Sequence, residues 1–339
     1  MRLRVAIVVL VASCGKKADP PAPSAPAPAP AAAAPAVKSE AWSCEALPFA
    51  ASTPVPEASG AAWLTIGGKR RLVVVSDSGN HGAYGLIDPD TGATVEQGTL
   101  PLNHSTDDLE GLTTRRDHLI GITSPGWILE WKRVEGGFEL VDGPYPLGPV
   151  DLPPNAVHGG IGDQPPTGAG LVCDGTRTNC GRNFEGVCLA PTGGPLDPLL
   201  ATGFAASKAD GHLYSLRGFD AHHAGHDLSI HPDHDDHDAT GAAITAYRAI
   251  KVAEPGHLAD CAFDSTGALY VANNLFGLST VSRIDNWRDP EHATIVPIGS
   301  LGGGFPEGLA VDGDVFYRFS DTGGGPSLIG KFRCTRSTR

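Results

Sequence analysis

The chain has 339 residues and a formal net charge of −13 at pH 7, with 44 glycines, 29 prolines and seven cysteines. The acidic balance excludes nucleic-acid binding through a basic face and gives no basic membrane-binding surface. The glycine and proline content favours short strands joined by many turns, and no long amphipathic helix pattern is evident.

The N-terminus has the pattern of a bacterial export signal. Residues 1–13 contain two arginines followed by an apolar run from Val5 to Val11, shorter than the roughly 20 residues of a membrane span. The letters VASC that end at Cys14 resemble a lipobox, in which the cysteine is lipidated; an ordinary signal peptide is the alternative. Gly15 in place of Asp favours the outer membrane. We therefore expect a cell-envelope lipoprotein, anchored to the membrane through Cys14.

A linker rich in proline and alanine follows, so that residues 14–40 form a semi-rigid tether without a core. The folded domain is expected over residues 41–339, as a monomer. Six cysteines remain after Cys14 and fit pairing in an oxidising compartment. Six cysteines allow 15 connectivities. The expected bridges are Cys44–Cys334 between the chain ends, Cys173–Cys180 within one loop and, by subtraction, Cys188–Cys261.

Five repeated units follow the linker. Each unit is a short apolar run, a turn and a second β-rich run, and the units begin near Ala58, Asp108, Asn183, His257 and Phe305. Further β-rich segments between them give four strands per unit at a period of about 40–50 residues. The pattern predicts an all-β fold, a β-propeller with five recognisable four-stranded blades, five or six in total. The N- and C-terminal strands would close one blade, and loop insertions are expected near 148–182 and 219–241. A pair of β-sandwiches is the alternative.

The first strand of each propeller blade lines the central axis. Acidic residues at the starts of these strands are therefore expected to lie together around the axis. Glu110, Glu185, Asp260 and Glu307 open four of these strands. In the same register the second strands end at Asp77, Ser124, Gly218, Asn274 and Asp321. Both sets should meet at one mouth of the channel, where their oxygens would suit Ca²⁺ or Mg²⁺. The alternative is structural, with the carboxylates accepting backbone N–H bonds.

Several of these segments resemble known propeller families. DLEGL, NFEGV and PEGLAV resemble the phytase-like esterases and the lactonase-type propellers, and LYVANNLFGLSTVSRID is similar to a gluconolactonase or NHL-type blade. The resemblance implies one divalent metal held by a Glu, an Asn and an Asp, which Glu307, Asn274 and either Asp77 or Asp321 match. This chain offers four acidic entrance residues where the family has one. The dense calcium signature of propeller phytases is not evident, so phytate hydrolysis is not inferred.

Histidines supply candidate bases and a second candidate metal site. His104 and His257 immediately precede entrance carboxylates and are candidate general bases, although ordinary loop histidines are the alternative. A tract between Phe219 and Asp238 carries His222, His223, His226, His231, His234 and His237. Imidazoles favour Zn²⁺ or another transition metal. A solvated insertion is the other interpretation.

The motifs that are missing narrow the possible chemistry. The chain has no GxSxG elbow and no Walker or Rossmann glycine motif in a strand–helix context. A metal-activated water is therefore the expected nucleophile of any hydrolysis. The leading hypothesis is a metal-dependent hydrolase of an ester, lactone or phosphoester, with Ca²⁺ as the favoured cofactor. A non-catalytic propeller that binds a small-molecule ligand, a metal or a protein partner is the alternative.

Overall fold

The computed structural model describes residues 36–37, 41–102, 107–146, 183–191, 203–216, 249–275 and 278–336. These residues form strands and one short 3-10 helix, Pro290–His292. The strands are β1 (Ala36–Val37), β2 (Trp42–Ala46), β3 (Ser52–Pro56), β4 (Ala58–Ile66), β5 (Lys69–Ser76), β6 (Ala83–Ile87), β7 (Thr94–Thr99), β8 (Leu109–Arg115), β9 (His118–Thr123), β10 (Trp127–Val134), β11 (Gly137–Pro146), β12 (Phe184–Leu189), β13 (Gly203–Ser207), β14 (His212–Leu216), β15 (Ala249–Lys251), β16 (Leu258–Phe263), β17 (Leu269–Leu275), β18 (Leu278–Asp285), β19 (Thr294–Ser300), β20 (Phe305–Asp312), β21 (Val315–Asp321) and β22 (Pro326–Arg336).

These strands build five antiparallel blades. Blade 1 is β4–β7, blade 2 is β8–β11, blade 3 is β12–β15 and blade 4 is β16–β19, with β1 added in parallel at its outer edge. Blade 5 is β20–β22 with β2 as its fourth strand. The protein is therefore a five-bladed β-propeller. The predicted architecture is confirmed, the blade number is five, and the β-sandwich alternative is wrong.

The two ends of the chain close blade 5 as predicted. The N-terminal strand β2 pairs antiparallel with the C-terminal half of β22, and β3 pairs with the N-terminal half of the same strand. Cys44 lies opposite Cys334 in this ladder, and the two form a disulfide. A second disulfide, Cys188–Cys261, joins the inner strands of blades 3 and 4. Two of the three predicted bridges are thus confirmed.

Several predicted features lie outside the described residues. They are the signal segment with Cys14, most of the linker, the Cys173–Cys180 bridge, the insertions near 148–182 and 219–241, and His104. The histidine tract also lies there. All of these stay predictions.

The hydrophobic core is divided among the interfaces between neighbouring blades. Strands with apolar residues on both faces bury each blade against the next, and five separate clusters result, one at each blade interface. Trp131 shows the pattern between blades 1 and 2: its ring is fully buried and its Nε1–H donates to the carbonyl of Pro101 at 2.8 Å. This packing leaves the starts of the innermost strands, at one mouth of the central axis, for polar residues.

Candidate metal centre

The inner strands carry a register irregularity at the same height in every blade. In blades 2, 3 and 5 the residues left out of the pairing are Glu110, Glu185 and Glu307. In blade 4 the corresponding residue is Ala259, and in blade 1 the irregularity covers Ser59 and Gly60. A β-bulge redirects a side chain away from the ordinary faces of a sheet. Three glutamates from three blades are thereby aimed at the same mouth of the axis.

The glycine after each of these glutamates is explained by the crowding at the axis. A Cβ on Gly111 would lie 2.5 Å from the Cα of Gly186, and a Cβ on Gly60 would lie 2.5 Å from the carbonyl oxygen of Glu110. A Cβ on Gly308 would lie 2.5 Å from the carbonyl oxygen of Ser59. Only glycine permits backbones to approach this closely. The recurring Glu-Gly pair therefore places a carboxylate at the mouth directly above a narrow glycine waist.

Asp260 stands one residue later than the expected register, in the position that glycine holds in the other blades. Its Oδ1 accepts the N–H of Cys261 and its Oδ2 accepts the N–H of Leu309, both at 2.7 Å. Burial raises the pKa of Asp260 well above its usual value, and these two hydrogen bonds partly offset that rise. Both oxygens are thus engaged, Oδ1 within blade 4 and Oδ2 in a hydrogen bond that joins blade 4 to blade 5. This geometry matches the structural alternative for that one carboxylate.

The ends of the second strands form the other half of the mouth. The N–H groups of Asp77, Ser124, Lys208 and Asn274 each donate to the carbonyl of the residue just before the first strand of their own blade, at 2.7–2.9 Å. Asp321 pairs with Phe305 at the equivalent height in blade 5. In blade 3 the second strand is β13, so this position belongs to Lys208. The prediction that Gly218 ends the second strand is wrong, because the strand before it, His212–Leu216, is the third strand of that blade.

Three carboxylates converge at this mouth. Asp77, Glu110 and Glu307 each offer one oxygen such that all three oxygens lie within 4.8 Å of one another. We call these residues the acidic triad. Glu110 is 3 % exposed, and its Oε2 accepts the hydroxyl of Ser59 at 2.6 Å. The set consists only of hard oxygen donors, which is the ligand chemistry that Ca²⁺ and Mg²⁺ prefer.

A lysine that the sequence interpretation missed lies beside the triad. Lys208 Nζ donates to Glu185 Oε2 at 2.8 Å and lies 3.7 Å from Glu307 Oε1. Glu185 itself is 2 % exposed. Its second oxygen, Oε1, is buried and accepts no hydrogen bond of ordinary geometry, although the neighbouring Asn183 side chain favours its ionised form. The acidic triad and Glu185 thus place four carboxylates around one ammonium group.

Burial and mutual repulsion shift the protonation of the whole group. Burial first, and then the charges of Glu185 and Asp77, raise the pKa of Glu307 to about 8, against a lowering by Lys208. The pKa of Glu110 is raised well above its usual value by burial and by Asp77. Burial alone would lower the pKa of Lys208, but the charges of the three glutamates outweigh it and raise that pKa. A cation close to these carboxylates would relieve their mutual repulsion.

A buried arginine fixes the backbone around Glu307. Arg318 donates to the carbonyls of Pro306 at 2.6 Å and Gly308 at 2.9 Å, on either side of Glu307. A third hydrogen bond reaches Ser279 Oγ in blade 4 at 3.0 Å. Burial lowers the pKa of Arg318 to about 10, against a rise from the charges of Asp260 and Glu307. Arg318 thereby holds the bulge that aims Glu307 at the triad.

The remaining predicted site residues lie around this group. Asn274 is partly exposed, and its buried Oδ1 accepts no hydrogen bond. Asp321 is close enough for its charge to raise the pKa of Glu307. The carbonyl of His257 accepts the N–H of Asn274 at 2.7 Å, so His257 stands at the same mouth. Among the described histidines, none makes a hydrogen bond or ion pair with the acidic triad.

The opposite mouth of the axis is a separate space. A cavity of about 170 Å³ is lined there by the far ends of the inner strands, including Trp63, Leu189 and Phe263. The glycine waist lies between the two mouths. We call the mouth that holds the acidic triad, Glu185 and Lys208 the acidic mouth. None of the seven residues predicted as metal ligands there lines this cavity.

Comparisons with known proteins add little beyond the fold. No protein-family model matches the chain, and no curated protein matches it in sequence. Among solved structures, a glutaminyl cyclase of Myxococcus xanthus is 12 % identical over 90 % of this chain and 100 % of its own, with a TM-score of 0.47. A putative 6-phosphogluconolactonase from Bacteroides uniformis ATCC 8492 is 12 % identical over 81 % of this chain and 88 % of its own, with a TM-score of 0.38. At such identities and TM-scores neither similarity bears on the activity of this chain.

Two further observations concern the compartment of the protein. The two disulfides fit an extracytoplasmic, oxidising environment. Within the part of the chain that the structure describes, no helix has the length and apolar character needed to cross a membrane.

Proposed function

We propose that the acidic mouth binds one divalent cation, Ca²⁺ above others, through Asp77, Glu110 and Glu307. The single observation that carries this proposal is the convergence of three carboxylates from three blades within 4.8 Å, two of them on β-bulges that redirect their side chains. Holding three carboxylates this close is unfavourable without a neutralising charge. Asn274 and Asp321 stand beside the triad and would complete an oxygen-rich coordination shell of the size that Ca²⁺ takes.

With this cation the protein would act as a hydrolase of an ester, a lactone or a phosphoester. A divalent cation supplies two things to such a reaction: it polarises the oxygen of the bond to be cleaved, and it lowers the pKa of water. The residues of the chain would orient the substrate at the mouth. Lys208 would hold positive charge next to the reacting group, and His257 is the described candidate for the general base. His104 is the second candidate.

A non-catalytic binding propeller is the second candidate function, and one observation favours it. None of the described histidines is joined by a hydrogen bond or ion pair to the acidic triad, so no histidine base contacts the triad among the described residues. Cation-dependent ligand binding would need the triad but no base. Both candidate functions therefore require the cation, and only the hydrolase would turn over a substrate.

The test separates the cation from the catalysis. Calorimetric titration of the metal-free protein with Ca²⁺ should give one site, and the triple variant Asp77→Asn, Glu110→Gln, Glu307→Gln should bind none. Glu254→Gln is a matched control, since its carboxylate is 73 % exposed and is not part of the triad. Turnover of simple esters, lactones or phosphodiesters that stops with EDTA would establish the hydrolase. Cation binding without turnover of any of them would leave the binding propeller.

We also propose that the protein is a lipoprotein of the outer membrane, anchored through Cys14. The export signal, the lipobox-like VASC and the extracytoplasmic disulfides support this proposal. Cys14→Ser should move the protein from the membrane fraction to the soluble fraction on cell fractionation. Membrane association that is unchanged in this variant would refute the anchor.

A further inference from the structure

Lys208 occupies an unusual place for a lysine. It follows β13 at the position where the other blades place Asp77, Ser124, Asn274 and Asp321, and its ammonium group points into the acidic mouth. Its side chain is 22 % exposed, so most of the chain is buried with the charge. A lysine buried among carboxylates is rare unless the charges are paired. The pairing here is with Glu185 at 2.8 Å and Glu307 at 3.7 Å.

We infer that Lys208 is a built-in counter-cation that fills the second cation position of the mouth, so that the site takes one divalent cation and not two. This inference rests on the proposed cation site at the acidic triad. It adds two things to that proposal: the number of ions that the site binds and the class of substrate that fits it.

The geometry resembles a two-cation site in which one ion has been replaced. Sites with two metal ions hold them about 3.5–4 Å apart and share carboxylates between them. Glu307 is shared in this way, because it contributes an oxygen to the triad and its carboxylate also lies 3.7 Å from Lys208 Nζ, measured to Oε1. Glu185 is the other carboxylate that contacts Lys208, and its Oε1 is buried without a hydrogen bond of ordinary geometry. Without the ammonium group, Glu185 and Glu307 would both be available to a second ion.

The charge balance of the loaded mouth points to a substrate class. The triad, Glu185 and Asp321 supply five carboxylates. With one ammonium group and one divalent cation, they leave an excess of two negative charges when all the groups are ionised. A dianionic phosphomonoester would meet repulsion there. A neutral ester or lactone would not, and it could still be polarised by the cation and by Lys208. Within the proposed classes, the inference therefore favours uncharged esters and lactones.

The experiment counts bound Ca²⁺ in the full-length protein by calorimetric titration and by elemental analysis after dialysis. The wild-type protein should bind one ion and Lys208→Gln should bind two. Lys208→Arg keeps the charge and should bind one. Glu185→Gln with Lys208→Gln removes the ligand along with the ammonium group and should also bind one. Lys251→Gln, on an exposed lysine of blade 3, is the matched control and should bind one.

The outcomes distinguish this inference from the proposed function. Lys208→Gln that still binds a single ion overturns the inference and leaves the cation site standing. A wild-type protein that binds none, together with a Lys208→Gln variant that binds one, supports the counter-cation and refutes the proposed function. Neither protein binding an ion refutes both. If Lys208→Gln folds only with added Ca²⁺, the inference is supported; if Ca²⁺ does not restore folding, it is overturned.

Discussion

Glu307→Gln is the most informative single substitution, because Glu307 belongs to the acidic triad and also lies 3.7 Å from Lys208. Glutamine keeps the size of the side chain and removes the charge. In wild-type protein, Ca²⁺ should bind the folded state only, since unfolding separates residues of three different blades. A ligand present at 100 times its dissociation constant then raises the free energy of unfolding by about 2.7 kcal/mol.

The corresponding change in melting temperature follows from the size of the domain. Unfolding entropies near 2.1 cal/mol/K per residue give about 0.6 kcal/mol/K for a domain of roughly 300 residues. Ca²⁺ should therefore raise the wild-type melting temperature by about 4 °C, and EDTA should reverse the rise. Loss of one charged ligand of three should reduce that shift in Glu307→Gln to about 2 °C or less at the same Ca²⁺ concentration. A tenfold loss of affinity removes about 1.4 kcal/mol of the stabilisation, and larger losses remove more.

Differential scanning calorimetry with and without Ca²⁺ measures both proteins. Glu254→Gln is the control, since its exposed carboxylate should leave the wild-type shift intact. Equal Ca²⁺ shifts in wild type and Glu307→Gln would show that Glu307 is not a ligand. If the wild-type melting temperature is indifferent to Ca²⁺, Mg²⁺, Mn²⁺, Zn²⁺ and EDTA, the carboxylates are structural.

Three other predictions test the same structure by different means. In EDTA, the wild-type free energy of unfolding should fall as pH rises from about 5 to about 8. The pKa of Glu307 is about 8 in the folded state, above its unfolded value of 4.5, so the folded protein holds the extra proton in that range. Urea titrations at several pH values would show it, and a wild-type slope no steeper than that of Glu307→Gln would contradict it. Replacing Cys44 and Cys334 by serine opens a loop with a sequence separation of 290 residues and should lower the free energy of unfolding by about 6 kcal/mol in the chain-entropy account. Mass mapping that finds both thiols free in the wild type would remove the premise. Gly111→Ala puts a Cβ 2.5 Å from the Cα of Gly186 and should destabilise by about 1–3 kcal/mol or more, while Gly303→Ala, with open space around it, should change stability little; similar midpoints in denaturant for the two variants would refute the glycine waist.

Much of the fold was predictable because each blade repeats the same local pattern. The five unit starts match the first strands of the five blades, since every blade needs an apolar run, a turn and a second strand to bury its faces. The closure of blade 5 and the Cys44–Cys334 bridge followed from the need to join the chain ends. The position of Glu110, Glu185 and Glu307 at one mouth of the axis was also predictable from the sequence, because the Glu-Gly pair recurs.

The parts that the sequence interpretation missed depend on register. Lys208 does not stand out in the sequence, because the second strand of blade 3, GFAAS, is short and the stronger β-rich run HLYSL after it fits that strand better by pattern alone. The turn SKADG between two β-rich runs was the available signal. Asp260 was placed with the glutamates, although Ala259 holds the bulge in blade 4. A shift of one residue cannot be read from a short motif when the bulge itself carries no fixed residue type.

Anomalous diffraction tests the central claim most directly. Crystals of the protein grown with Mn²⁺, which prefers the same oxygen ligands as Mg²⁺ and Ca²⁺, would reveal the position of the ion without assumptions about activity. The proposed cation site predicts one strong anomalous peak within about 2.0–2.6 Å of carboxylate oxygens of Asp77, Glu110 and Glu307, with Lys208 still against Glu185. A mouth that stays without a peak at saturating Mn²⁺, or a peak held only by residues elsewhere, would contradict it.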